Sequence, residues 1–184
     1  MMIKGIYDCE KCGLCNNQKP LLEGYIRDCQ IFWVGLSAKK ITDEDDIPLS
    51  PNTKSGLLIK SIEDRCDNVI TYKTNLVKCL PLNDDEKLRY PNRKEVDACF
   101  ENLLVEIKTL SPKIVFLLGE KVYSSVERHL NITFEKWENF EYKYIEHDGV
   151  YYVPIQHPSY ISVYKRKYTE EYIEGIEKVI EDLL

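Results

Sequence analysis

Along the chain, short strand-like apolar runs alternate with longer segments whose apolar residues recur every three or four positions. Residues 30–36, 69–76, 113–118 and 150–155 are rich in β-branched and aromatic side chains and end in polar or turn-forming residues, which predicts four buried strands. Residues 54–65 carry Leu57, Leu58 and Ile62 on one face behind an Asn52-Thr53 cap. Residues 93–110 carry Val96, Phe100, Leu103, Leu104 and Ile107 at helical spacing, and residues 121–130 and 169–184 complete the helical set. An acidic stretch broken by Pro48 and Pro51, and a polar loop bounded by Pro81 and Pro91, separate these elements.

Strands alternating with helices predict a three-layer α/β/α sandwich around a central, mostly parallel four-stranded sheet. No internal repeat, low-complexity tract or linker interrupts the order, so residues 1–184 read as one domain. Ligands of such sheets bind beyond the C-terminal ends of the strands. Gly35, Asn75 and His157 all fall at or just past such ends, which points to one shared site.

Composition narrows the choice. The net charge is −6, which weighs against an extensive phosphate-binding surface. The acid is concentrated in Asp43-Glu44-Asp45-Asp46, Asp84-Asp85-Glu86 and the last helix, whereas Lys165-Arg166-Lys167 follows directly on the His157 segment. A local basic rim on an acidic protein is therefore compatible with nucleic acid. The longest apolar runs, such as 114–118, are too short to cross a bilayer, and no signal-peptide core follows the first residues, so a cytoplasmic protein is expected.

Seven cysteines, an odd number, favour metal ligation over a disulfide framework. Cys9, Cys12 and Cys15 form C-x2-C-x2-C, and Cys79 and Cys99 follow far downstream. Either Cys9 with Cys12 or Cys12 with Cys15, joined by Cys79 and Cys99, makes a four-thiolate site suited to zinc or to an iron–sulfur cluster. Cys29 and Cys66 read as small apolar packing residues.

Two polar residues carry the candidate chemistry. Work on a nucleobase requires a pocket that reads its Watson–Crick edge. The Asn75 amide suits a uracil-like base, accepting from N3–H and donating to O4. An imidazole such as His157 would stabilise the negative charge that a departing base collects at O2.

The segments Thr74-Asn75-Leu76-Val77-Lys78-Cys79-Leu80-Pro81 and Gln156-His157-Pro158-Ser159-Tyr160, with the cysteine layout, resemble the iron–sulfur (family 4-like) branch of the uracil-DNA glycosylase superfamily, from Cys9 to about Tyr160. The resemblance implies a structural [4Fe–4S] cluster, rather than zinc, on Cys9, Cys12, Cys79 and Cys99, pinning the 79–99 loop to the N-terminal segment. Cys12-Gly13-Leu14 matches the family spacing, which selects Cys9 with Cys12. Asn75 would read the base, His157 would stabilise its departure, and Ser159 would complete the His-Pro-Ser motif. Tyr160, with Ile161 and Tyr164, would fill the gap left by a flipped base, and Lys39, Lys165, Arg166 and Lys167 would meet phosphates.

The first family motif departs. Gly-Glu-x-Pro-Gly is replaced by Gly35-Leu36-Ser37-Ala38-Lys39, and Leu49 stands where an aromatic residue would stack on the base. Another branch of the superfamily also opens with Gly-Leu. Asp43 falls at a family acidic position and is the expected residue to orient water or stabilise the sugar cation. The expected function is a monofunctional, monomeric DNA glycosylase that hydrolyses the N-glycosidic bond of uracil or another deaminated base in damaged DNA, in base excision repair. The alternative is a catalytically weakened iron–sulfur nucleic-acid-binding member of the superfamily, motivated by Leu36, Leu49 and the net charge. A zinc or iron–sulfur protein with a partner other than nucleic acid is the third reading, and it leaves Asn75 and His157 without roles.

Overall fold

The computed structural model describes residues 3, 5–24, 26 and 28–184. Strands β1 (Ile31–Ser37), β2 (Thr71–Val77) and β3 (Ile114–Leu118) pair in parallel with one another and with β5 (Val150–Ile155), while β4 (Ile145–His147) runs antiparallel to β5. The order across the sheet is β2-β1-β3-β5-β4. The sheet therefore has five strands where the apolar runs predicted four. The extra strand is too short and too polar to register as a run, but it forms a two-residue hairpin with β5. Asp148 and Gly149 at the turn both have positive φ (51° and 79°), the geometry an Asp-Gly dipeptide favours.

Because successive strand residues point to opposite faces, each central strand feeds two cores. Ile31, Trp33, Ile114, Phe116 and Val153 face one side, against α1 (Lys54–Glu63), α4 (Pro158–Tyr164) and α5 (Thr169–Leu183). Phe32, Val34, Val115 and Leu117 face the other, against α2 (Arg93–Leu110) and α3 (Glu120–Leu130). The result is a three-layer α/β/α sandwich. No helix among the described residues is long and apolar enough to cross a membrane.

Local chemistry fixes the helix ends. Thr53 caps α1 by accepting from Gly56 N–H at 3.1 Å. Asn92 and Glu95 form a reciprocal capping box at α2. Helix α4, absent from the predicted set, starts with Pro158 at its first position and buries little more than Ile161.

The chain passes from β1 to β2 on one side, then returns over β1 to β3 on the other. That reversal opens a crevice at the C-terminal ends of β1 and β3, the place where open α/β sheets hold ligands.

Candidate active site

A cavity of about 940 Å³ occupies this crevice. Gly35, Leu36, Leu49, Asn75, His157, Ser159, Tyr160 and Lys39 all line it, so eight residues singled out along the sequence meet in one place.

Asn75 is buried on β2, directly opposite Gly35 in the β1–β2 register. A methyl group at Gly35 would lie 2.5 Å from Asn75 Oδ1 and 3.2 Å from Leu49 Cδ2. Glycine is thus required for the Asn75 amide to lie across β1. Leu49, opposite, has φ of 52°, an unusual conformation for a bulky residue, so the cavity wall carries local backbone strain.

The Asn75 carbonyl oxygen accepts from Lys78 Nζ at 2.5 Å. Lys78 is fully buried and also donates to Thr74 Oγ1 at 2.8 Å and to Glu106 of α2 at 2.5 Å. Tyr72 and Thr74 hydroxyls donate to the same Glu106 carboxylate at 3.0 Å. This network fixes the β2 end that presents Asn75.

His157 follows β5 and caps α4 through its ring. Ser159 N–H reaches Nδ1 at 3.3 Å and Ser159 Oγ lies 2.8 Å from it. A nitrogen that accepts from a backbone N–H is unprotonated, so the ring proton of the neutral imidazole sits on Nε2. Burial pushes the His157 pKa below its ordinary value, which keeps the ring neutral near pH 7. Two buried tyrosines brace the preceding residue: Tyr142 donates to Gln156 Oε1 at 2.5 Å and Tyr172 to the Gln156 carbonyl at 3.0 Å.

Other expected residues stand elsewhere. Asp43 is exposed and outside the cavity lining, its carboxylate accepting from Asp45 N–H at 3.0 Å. The inward-facing acid of that loop is Asp46, which pairs with Lys39 at 2.5 Å and accepts from Thr42 N–H at 2.7 Å. Lys39 holds the Asp46 carboxyl well below the usual carboxylate range. Lys165, Arg166 and Lys167 are exposed beyond α4, outside the cavity, with Lys167 stacked 4.7 Å from the Tyr168 ring.

The only carboxylate lining the cavity among the described residues is Glu120, the first residue of α3. It follows Gly119, where an added methyl would lie 3.2 Å from His157 Cβ. Nothing in its sequence context announces it, since Gly-Glu after a strand is an ordinary helix start. Leu88, Arg89, Tyr90 and Lys121 also line the cavity and were unmarked in sequence.

A second centre lies behind β2. None of the seven cysteines forms a disulfide. Burial and neighbouring thiols push the Cys79 pKa up to about 12, the neighbours being Cys99, Cys12, Cys15 and Cys9. Helix α2 turns Cys99, Asn102 and Glu106 to one face, at spacings of three and four. The Asn102 amide donates to Cys9 Sγ at 3.3 Å and to Cys99 Sγ at 3.7 Å, and Lys78 N–H donates to Cys99 Sγ at 3.4 Å. Thiols so buried ionise only against a cationic group, and N–H donors aimed at sulfur are what thiolate-bound metal centres use. No three metal-ligating side chains among the described residues converge on a single ion.

The family model described as the Uracil DNA glycosylase superfamily matches residues 24–183. A Type-4 uracil-DNA glycosylase of Sulfurisphaera tokodaii is 27% identical over 163 residues, covering 84% of this chain and 71% of that protein. One from Archaeoglobus fulgidus is 24% identical over 185 residues, covering 97% of this chain and 89% of its own. Among solved structures, wild-type SMUG2 of Pedobacter heparinus superposes with a TM-score of 0.55 at 14% identity, over 85% of this chain and 76% of that one. The chain belongs to the uracil DNA glycosylase superfamily.

Proposed function

We propose that the protein is a monofunctional DNA glycosylase that hydrolyses the N-glycosidic bond of uracil in DNA, the first step of base excision repair. The observation that carries this reading is the convergence of the Asn75 amide and the His157 ring in one cavity at the strand ends. The flipped base enters between Leu49, Leu36 and Gly35. Asn75 accepts from its N3–H and donates to O4, a pattern that cytosine does not match. His157 donates Nε2–H toward O2, where negative charge accumulates as the bond to the sugar breaks, and a neutral donor there needs no proton from solvent. Glu120 is the carboxylate that orients the attacking water and faces the cationic sugar, the part expected of Asp43.

Cys9, Cys12, Cys79 and Cys99 are the proposed ligands of a [4Fe–4S] cluster. The Asn102 bridge between Cys9 and Cys99 supports Cys9 over Cys15. The cluster supplies a structural clamp; the reaction uses the side chains of the cavity. A monomer acting on damaged DNA in the cytoplasm completes the proposal.

The test is a cleavage assay with anaerobically purified protein on matched strands containing uracil, hypoxanthine, xanthine or no lesion. Alkali-labile product from the uracil strand, lost in His157→Ala, is the expected result. DNA binding without product on any lesion would sink the enzyme reading in favour of the weakened binding member. Iron and sulfide in equal amounts, with no zinc, is the expected metal analysis.

A further inference from the structure

Two tyrosines are buried in the core on the α5 side of the sheet, and both hydroxyls go to a single residue outside the cavity lining, Gln156. Tyr172 of α5 is fully buried, and its hydroxyl donates to the Gln156 backbone carbonyl at 3.0 Å. Tyr142, also buried, donates to the Gln156 side-chain oxygen. Neither hydroxyl has another partner among the described residues. Phenylalanine would fill either place as well, and a hydroxyl in such a core is destabilising unless its bond is made. Burial pushes both phenols well above their ordinary pKa, so each keeps its proton to donate.

The surrounding structure brings the two rings together. Gly175 stands three residues after Tyr172 on α5, and a methyl group there would overlap the Phe140 carbonyl. Glycine inside a helix is unfavourable relative to alanine, so its use here is to admit the 139–142 segment against α5. Asn139 and Phe140 both have positive φ (49° and 61°), which turns that segment so that Tyr142 comes down beside Tyr172. The Tyr142 and Tyr172 rings meet edge to face at 6.3 Å, and Phe140 meets Tyr172 in the same way at 6.1 Å.

The Gln156–His157 peptide is one rigid plane, so holding its carbonyl fixes the direction in which the His157 side chain leaves the chain. The carbonyl before it, of Ile155, is held by Gly119 N–H at 2.9 Å. Beyond His157 the Ser159 cap holds the ring, and its N–H reaches Nδ1 at 3.3 Å, the long end of a hydrogen bond. A small shift of the backbone would release that cap. We propose that Tyr172 and Tyr142 are positioning residues for His157: they hold the Gln156–His157 peptide in the orientation in which the ring keeps its Ser159 cap and aims Nε2–H into the cavity. The proposal rests on the glycosylase reading and adds to it two residues that touch neither base nor sugar.

The experiment pairs steady-state excision of uracil with nitrogen NMR of the histidine-labelled protein free of substrate. Wild-type His157 is expected as the single Nε2–H tautomer. Tyr172→Phe keeps the ring and its packing. It should lower kcat about tenfold or more with KM within about twofold, and the His157 signals should become those of a tautomer mixture. Replacing Tyr172 by p-aminophenylalanine restores a donor and should recover both. Tyr142→Phe should act more weakly, lowering kcat about threefold. Gln156→Ala removes the acceptor of Tyr142 but leaves that of Tyr172, which is backbone. In that background Tyr142→Phe should change nothing further, while Tyr172→Phe keeps its effect. An unchanged kcat in Tyr172→Phe, or a loss of activity with the His157 signals unmoved, would overturn the proposal, because the hydroxyl would then serve the fold alone. Should the wild-type protein excise no lesion at all, the glycosylase reading has failed. The ring signals then decide the positioning by themselves, a tautomer mixture in Tyr172→Phe supporting it and a single tautomer removing it.

Discussion

At the scale of single residues, the site depends on side chains that are missing as much as on those present. Asn75 lies across β1 only because position 35 has no Cβ, and an alanine there would sit 2.5 Å from Asn75 Oδ1. The backbone of β1 is packed on both faces and cannot retreat, so the amide must turn away. Gly35→Ala should lower uracil excision by at least about tenfold through kcat/KM, with a loss of stability of about 1–3 kcal/mol from overpacking. Steady-state kinetics beside a thermal melt separates the two effects. Glu120 and Asp43 give a paired test. Glu120→Gln should lower kcat about a hundredfold with KM little changed, whereas Asp43→Asn, altering an exposed loop charge, should stay within about twofold. The reverse outcome would return the water-orienting role to Asp43. Asn75 and His157 could be singled out because each lies near the C-terminal end of a strand in a distinctive run of neighbours. Glu120 was not, because its place in the cavity wall arises only when Gly119, at the start of α3, packs against His157.

At the scale of elements, β2 and α2 are joined by a buried charge pair. Lys78 and Glu106 are 1% and 0% exposed, and the Lys78 ammonium also holds the carbonyl of Asn75. A lone Glu106 charge at this depth would be uncompensated, so Lys78→Met should destabilise the protein by about 3–5 kcal/mol in a denaturant titration. Adding Glu106→Gln removes the orphan charge and keeps an acceptor for the Tyr72 and Thr74 hydroxyls, and should restore much of that loss. Excision should remain low in the double variant, because Asn75 has lost its anchor. Full recovery of activity would show that the pair serves stability alone. The helix and strand pattern was readable in sequence to within a few residues because two-sided burial imposes long apolar runs. Strand β4 and helix α4 escaped for one reason: each is short and buries one face lightly, so turn chemistry positions them. Asp148-Gly149 and Pro158 were their only signals.

At the scale of the whole molecule, the segment before β1 closes the outer edge of the sheet, where β2 has no neighbouring strand. Leu21 N–H donates to the Lys78 carbonyl at 2.8 Å, Asn17 Nδ2 to the Leu80 carbonyl at 2.9 Å, and Glu23 accepts from the Lys73 backbone N–H. The cysteine-bearing segment, the β2 edge and the wall behind Asn75 are therefore one structural unit. Glu23 meets this edge with its carboxyl largely buried and near Glu63 and Glu106, and burial raises its pKa from 4.5 to about 7. In the unfolded chain it ionises near its ordinary value. Below about pH 4.5 both states are protonated and the contribution of Glu23 to stability is fully present. As pH rises, the unfolded carboxyl ionises first, and that contribution falls away until the folded carboxyl follows at about 7. The difference amounts to on the order of 3 kcal/mol at most. Glu23→Gln, which keeps an acceptor for the Lys73 N–H, should therefore stabilise the protein by about 1–3 kcal/mol at pH 8 and by almost nothing at pH 4. Chemical denaturation of both proteins at the two pH values checks it. A gain equal at both would mean that the Glu23 carboxyl ionises normally in the folded state and that water reaches the edge between this segment and β2.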